Sequence, residues 1–276
     1  MKKLIIGFSC LSLINSTLCI THPNTKIYFK RKSICYNNSN SFEKFMRWTN
    51  EKKKIVETLS SVISNNKKLL LDIGAGNGEI TTGIADRFDH IVAIEPSKTL
   101  FEQLRKVCRT QKFTLVEKPF EKVILDQKFD VIISSHSFQF ITNPTYELTR
   151  IKELLSDSGM LILINLKQDC EYIKLYHKFR KKIFGPESTY AQNLNFEYDI
   201  MELLQQFFNV KQSFFDTQLT IPTIDDYISL LDFFYDVPLS SISPDTIMFI
   251  KKELYKDYGD NPIKINFEQA MYICTK

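Results

Sequence analysis

This chain predicts a doubly wound α/β sheet, and three observations carry that reading. Short apolar runs alternate with amphipathic helical runs from Leu69 to Leu166, the order that builds a mostly parallel sheet covered on both faces. One run, Phe129-Asp130-Val131-Ile132-Ile133-Ser134, is almost continuously apolar, as suits a strand buried on both sides. The first run, Leu69-Leu70-Leu71-Asp72-Ile73, passes straight into Gly74-Ala75-Gly76-Asn77-Gly78-Glu79, a strand, glycine turn and helix in succession.

The elements follow in order. Phe42 to Ser64 carries Phe42, Phe45, Met46, Ile55, Val56, Leu59 and Ile63 at helical spacing and predicts one helix. Strand one is Lys68 to Ile73, with a helix from Glu79 to Arg87 after the glycines. Strand two is His90 to Ile94; Pro96-Ser97 then breaks the strand and caps a helix from Lys98 to Arg109. Strand three is Phe113 to Val116 and strand four Phe129 to Ser134. A helix from Thr145 to Leu155 ends in the turn Ser156-Asp157-Ser158-Gly159, and strand five runs from Met160 to Asn165. Beyond it come helices at Asp169 to Phe184 and Tyr198 to Phe208, strand six at Val210 to Phe215, and a last strand at Ala270 to Cys274. Between these strands, Ile221 to Pro262 is rich in Phe, Tyr and Leu. Such residues are core in most folds, and they also suit a cap over a substrate.

The glycine turn and the end of strand two make a binding site together. Glycines let the backbone approach a ligand where a side chain would clash, and the N–H groups opening the next helix suit a polar group. Strand two ends in Glu95, placed to take both hydroxyls of a ribose. The spacing Gly74-x-Gly76-x-Gly78 puts Glu79 where a dinucleotide fingerprint has its third glycine. No Gly-Lys-Ser/Thr follows for a phosphate loop. Asp72 and Glu79 flank the turn with negative charge, which repels a pyrophosphate and tolerates an ammonium and a sulfonium.

These residues resemble motif I of the class I S-adenosylmethionine-dependent methyltransferases, with Glu95 as the acidic residue of the next motif. Roughly Leu69 to Leu166 matches that family in order and spacing. The resemblance implies a Rossmann-like seven-stranded sheet with an antiparallel last strand, S-adenosyl-L-methionine as cofactor, and a helical C-terminal insert. It also implies roles. Asp72 anchors the turn and orients the methionine end, Gly74 and Gly76 give close backbone approach, and Glu95 with Pro96 after it holds the ribose. The family's Gly-Asp-Ala-Glu-type turn after strand three is here Glu117-Lys118-Pro119-Phe120-Glu121, which leaves Phe120 and Glu121 as the adenine contacts. Ser134, at the end of strand four, is a candidate cofactor contact, and the loop that follows it should floor the transfer site. His136 in that loop is a candidate proton acceptor.

Composition bounds the rest. The sequence has 276 residues, 43% of them hydrophobic, with 22 Phe and 12 Tyr, enough for a substantial core. Cys10, Cys19, Cys35, Cys108, Cys170 and Cys274 form no C-x-x-C, and the four histidines no H-E-x-x-H, so no metal is expected. The net charge of +4 is mild, and the body has no broad basic stretch, which argues against a nucleic-acid substrate. Met1-Lys2-Lys3 and the apolar Leu4 to Leu18 have the form of a signal peptide, too short for a stable membrane span. Thr21 to Ser41 is basic and polar, with no Asp or Glu before Glu43, as in organelle transit peptides. We therefore expect a leader over residues 1–42, directing the chain to the secretory pathway or a plastid-type organelle; the alternative is a cytoplasmic protein. The methyltransferase domain is expected over 43–276, with a helical cap at about 167–200 and 221–262.

The acceptor is narrowed by what is missing. The loop after strand four has no Asn/Asp-Pro-Pro-Tyr, and no Pro-Cys or Thr-Cys pair occurs. Small molecules or acyl carriers remain. Ser137-Phe138-Gln139-Phe140 resembles a segment of trans-aconitate and malonyl-carrier carboxyl methyltransferases, with Phe140 in place of Trp, and this favours carboxyl O-methylation. The helical insert resembles that of histamine-type amine methyltransferases, the alternative acceptor class. Two further readings stay open: a nicotinamide-linked oxidoreductase, disfavoured by Glu79, and a non-catalytic binding protein that keeps the fold.

Overall fold

The computed structural model describes residues 39–65, 67–185, 200–235 and 237–276. In chain order the elements are α1 (Ser39–Trp48), α2 (Glu51–Val62), β1 (Lys67–Ile73), α3 (Glu79–Gly83), β2 (Phe88–Ile94), α4 (Lys98–Val107), β3 (Phe113–Val116), β4 (Phe129–Ser135), α5 (Pro144–Leu154) and β5 (Leu155–Leu166). They continue as α6 (Glu171–Phe184), α7 (Ile200–Gln205), β6 (Asn209–Phe215), β7 (Gln218–Ile221), α8 (Ile224–Ile228), α9 (Leu231–Tyr235), α10 (Pro244–Tyr258), β8 (Ile263–Asn266) and β9 (Gln269–Thr275).

Seven strands form one sheet in the order β3-β2-β1-β4-β5-β9-β6. The five strands from β3 to β5 are parallel, and β9 runs antiparallel between β5 and β6. The doubly wound sheet with a reversed last strand is therefore as expected. The order reverses between β1 and β4, and such a switch point opens a crevice at the carboxyl ends of the strands.

The period-two alternation of the strands makes two cores from one sheet. Leu71, Ile73, Val92, Ile94, Ile132, Leu161 and Leu163 face Leu148 and Ile151 of α5 and Leu203 and Leu204 of α7. Their neighbours Leu70, Ile91, Val131, Ile133, Ile162 and Ile164 face Ile55 and Leu59 of α2. Each such side chain, buried, contributes about 1.5–3 kcal/mol. A third cluster, with Phe45, Tyr176, Phe179, Leu219, Tyr227, Phe234, Leu254 and Ile265, holds α1, α6, α8, α9 and α10 together over the small β7–β8 sheet.

Several boundaries differ from those expected, each for a physical reason. The single helix over Phe42 to Ser64 is two helices. Thr49 bridges Leu219 of β7, Asn50 N–H donates to Gln218 O (3.1 Å) and Gln218 N–H returns to Asn50 Oδ1 (2.7 Å). Those bonds pull the chain out of helical register. The helix after the glycines ends at Gly83, a weak helix former that lets Val56 pack close, and Ala85–Arg87 goes on as a 3-10 helix. The turn at Ser156–Gly159 is absorbed into β5 through a register shift opposite Phe129; a Cβ on Gly159 would lie 2.8 Å from Phe129 O. The expected cap helices at 221–262 are flanked by β7 and β8, an antiparallel pair too short to stand out in the sequence. The expected leader lies outside the described residues as far as residue 38, and the chain is helical from Ser39. Residues 186–199 of the expected cap also lie outside them. Among the described residues, no helix is long and apolar enough to cross a membrane.

Candidate functional site

The glycine turn leaves β1 with positive φ at Gly74 (78°) and Gly76 (59°), a region that costs a residue with a Cβ. Gly74 and Ala75 N–H both donate to Ile94 O, at 2.8 and 2.9 Å, so the turn is tied to the end of β2. Ser137 packs on Gly74 from the loop after β4. Its Oγ reaches Ile73 O and lies 2.5 Å from Ser134 Oγ. A Cβ on Gly74 would lie 2.3 Å from Ser137 Cβ, whereas one on Gly76 would meet nothing within 4 Å. Gly76 therefore has open space before it.

Glu95 is buried beneath that space. Its Oε2 accepts from Gly76 N–H (2.8 Å) and its Oε1 from Ser97 N–H (2.7 Å), which leaves each oxygen a further acceptor position. Burial pushes its carboxyl above the ordinary value, against those two hydrogen bonds. Asp72 lies deeper, accepting from Thr81 Oγ1 at 2.6 Å. Burial pushes it up to about 7, Glu95's charge adds to that, and Thr81 and Lys52 oppose it.

A testable consequence follows from the sign of that shift. A carboxyl raised from 3.8 binds more protons folded than unfolded between about pH 4 and 7. Its contribution to stability is full below about pH 4 and is lost as the pH rises to about 7. Asp72→Asn should therefore gain on the wild type by about 1.4 kcal/mol per pH unit across that window, read as the difference in Tm without ligand. Parallel curves would show that Asp72 does not carry a raised proton affinity.

A second cluster stands across the cavity. His136 is the one non-glycine residue with positive φ (53°) among those described, and its N–H donates to Ile164 O at 2.9 Å. Its Nε2 lies 3.0 Å from Glu51 Oε1, off the line of a straight hydrogen bond. Gln269 Nε2 donates to the same Glu51 oxygen at 3.1 Å and to Thr217 Oγ1 at 3.2 Å. Burial works against ionising Glu51, but the electrostatic attraction of nearby His136, with help from Lys52 and Gln269, holds the carboxyl below its ordinary value. Lys52 contacts Asn77 Oδ1 of the glycine turn and lies 3.7 Å from Glu79 Oε2. Burial pulls it below the usual lysine range, against Glu79 and Glu51.

All of this surrounds a cavity of about 580 Å³ at the carboxyl ends of β1, β2, β4 and β5, within the range of small-molecule sites. Of the residues expected at the site, Gly74, Gly76, Glu95, Pro96, Phe120, Glu121 and His136 line it. Phe120 also packs in the core beneath Arg150, whose guanidinium lies 4.2 Å from the ring centre. Glu121 Oε1 accepts from Thr142 N–H at 3.1 Å. Asp72 and Ser134 do not line the cavity. Both are buried under it, Asp72 bonded to Thr81 of α3 and Ser134 to Ser137, which lines the cavity. Sequence reasoning missed Glu51 and Lys52. They open the run Glu51-Lys52-Lys53-Lys54, which has the form of a solvated face; the signal for a helix start there was Asn50 before an acidic first turn.

The family model described as "Methyltransferase domain" matches residues 71–163, the span from the end of β1 to β5. Those residues match a methyltransferase domain. Malonyl-[acyl-carrier protein] O-methyltransferase of Bacillus cereus is 25% identical over 123 residues, 42% of this chain and 46% of that protein. An uncharacterized methyltransferase of Alkaliphilus oremlandii is 24% identical over 188 residues, 64% of this chain and 80% of that protein. The chain spans about half the length of the malonyl-carrier relatives it matches first. Among solved structures, a protein of the methyltransferase class from Bacillus halodurans superposes with a TM-score of 0.56 at 15% identity, covering 79% of this chain and 97% of its own. A SAM-dependent methyltransferase of Thermotoga maritima, whose name carries histamine N-methylation as a candidate activity, gives 0.51 at 15% identity, covering 87% and 98%. At such identities the methyltransferase domain shares a fold with them.

Proposed function

We propose that this chain is an S-adenosyl-L-methionine-dependent methyltransferase whose acceptor, a small molecule or a carrier-bound group, loses a proton as it is methylated. The observation that carries it is the pairing of two features in one cavity: buried Glu95 beneath the open face of Gly76, and the His136–Glu51 pair across from them. The donor set fits the cofactor. Glu95 has acceptor positions for the ribose hydroxyls, and Gly76 offers backbone with no side chain in the way. Lys52 is the one Lys or Arg lining the cavity among the described residues, a counter-charge for the methionine carboxylate. Phe120 and Glu121 stand at the adenine end. Asp72 positions the turn from below.

When bound, the cofactor supplies an electrophilic methyl group on a sulfonium, which takes back the bonding pair as a neutral thioether. His136 accepts the proton that the acceptor nitrogen or oxygen gives up as its lone pair forms the new bond to carbon. Its Nε2 faces Glu51, which leaves Nδ1 for that proton, and the Glu51 carboxylate stabilises the imidazolium that results. Backbone strain at His136 is consistent with a residue held for this task.

A second reading, carboxyl O-methylation, has the malonyl-carrier relatives behind it. A carboxylate needs alignment and no base. Within Ser137–Phe140, the segment that favoured it, Ser137 is engaged in bracing Gly74 against Ser134 and Ile73. Turnover measured against pH separates the two. With a proton-losing acceptor, His136→Ala should lower kcat by about 10²-fold or more and remove a rising limb present in the wild type. Equal profiles for both proteins would favour the carboxyl reading.

A further inference from the structure

Beyond the glycine turn the cavity opens into a chamber walled by rings. Phe42 and Phe45 come from α1, Tyr172 from α6, Phe233 and Phe234 from α9, and Phe267 from the turn before β9. Ring centres lie 4.9 Å apart for Phe45 and Phe233, 5.4 Å for Tyr172 and Phe234, and 4.4 Å for Tyr172 and Phe267. These contacts join four segments into one wall. Two of these contacts are tilted and one is edge-on, and a further ring can join such a wall by the same geometry.

Besides His136 Nε2, the lining residues Ser135, at the end of β4, and Asn165, near the end of β5, each have a buried polar atom, Oγ and Oδ1, with no hydrogen-bond partner. Buried polar atoms are satisfied in native proteins with few exceptions, so an atom with no protein partner beside a cavity takes its hydrogen bond from water or from a ligand atom. The charges around them exclude one class of ligand. Glu51, Glu95 and Glu121 line the cavity, while Lys52 is engaged by Asn77 and Glu79. An anionic acceptor would enter among carboxylates, and Lys52, the one Lys or Arg of the lining among the described residues, is assigned above to the cofactor.

Building on the methyl-transfer reading above, we infer that the acceptor is an amine or hydroxyl, neutral or cationic, borne on a flat aromatic body. Its ring packs against the Phe42–Phe233 wall, and its N–H or O–H donates to Asn165 Oδ1 beside Ser135. Asn165 is thus a specificity-determining residue of the acceptor side, distinct from the groups that hold the cofactor.

Calorimetric titration of the full chain loaded with S-adenosylhomocysteine tests this with four probes: 2-naphthylmethylamine, 2-naphthol, 2-naphthoate and the decalin analogue of the amine. The amine and the naphthol should bind at least about tenfold more tightly than the naphthoate and the decalin analogue. Asn165→Leu should weaken the amine and the naphthol by about tenfold while leaving the affinity for S-adenosylhomocysteine unchanged. Naphthoate binding as tightly as the amine, equal binding of the saturated analogue, or no effect of Asn165→Leu would each overturn the inference. Failure of the protein to bind S-adenosylhomocysteine would instead overturn the methyl-transfer reading, and this inference with it.

Discussion

Glu95→Ala should weaken S-adenosylmethionine binding by about 10²- to 10⁴-fold. The estimate follows from two charge-assisted hydrogen bonds to ribose hydroxyls, each worth about 1.5–3 kcal/mol, at about 1.4 kcal/mol per tenfold change in affinity. The substitution also strips Gly76 and Ser97 N–H of their shared acceptor, so the turn loses its brace as well as its ligand group. Glu95→Gln keeps one acceptor oxygen and should fall between the two. Calorimetry on proteins that melt cooperatively gives the answer. Unchanged affinity in the alanine variant would take Glu95 out of the binding site.

Gly74→Ala should be among the most destabilising single substitutions in the chain. The new Cβ would lie 2.3 Å from Ser137 Cβ, at a φ of 78°. Ser137 cannot withdraw without breaking its bonds to Ile73 O and Ser134. Left-handed backbone costs a non-glycine residue about 1–2 kcal/mol, and overpacking adds about 1–3 kcal/mol. A fall in Tm of about 5–15 °C follows for a domain of this size. Adding Ser137→Gly should return the overpacking part and leave the backbone part. Gly76→Ala makes the contrast, since its Cβ meets nothing within 4 Å. It should cost only the backbone term and act chiefly on cofactor affinity. A Gly74→Ala protein that melts like the wild type would mean that the turn is not braced as described.

The sheet was readable because its strands are buried on both faces and so appear as apolar runs, as in Phe129 to Ser134. That Gly74, Gly76 and Glu95 share one end of the cavity was readable because they lie at the sequence-local junctions that follow two neighbouring strands. The acceptor side was not. Glu51 meets His136, and Gln269 meets Glu51, only because α2 packs on the sheet while β9 inserts beside β5, contacts that no local pattern encodes. The break between α1 and α2 was hidden for the same reason, its cause lying in bonds to Gln218. Asp72 and Ser134 were expected at the site from their position and lie beneath the cavity without lining it, because alternation along a strand cannot say whether a side chain reaches a cavity or braces what does. Chamber residues such as Phe233 and Phe234 fall in the stretch that reads as core or as cap, and they pack in the core on one side.

The central claim is that this cavity holds S-adenosylmethionine, and titrating the chain in parallel with S-adenosylhomocysteine and with NAD tests it most directly. The site described here predicts saturable binding of S-adenosylhomocysteine with a dissociation constant of about 1–100 μM, or about 5–8 kcal/mol, and no heat from NAD. Binding of NAD instead, or of neither, would contradict it.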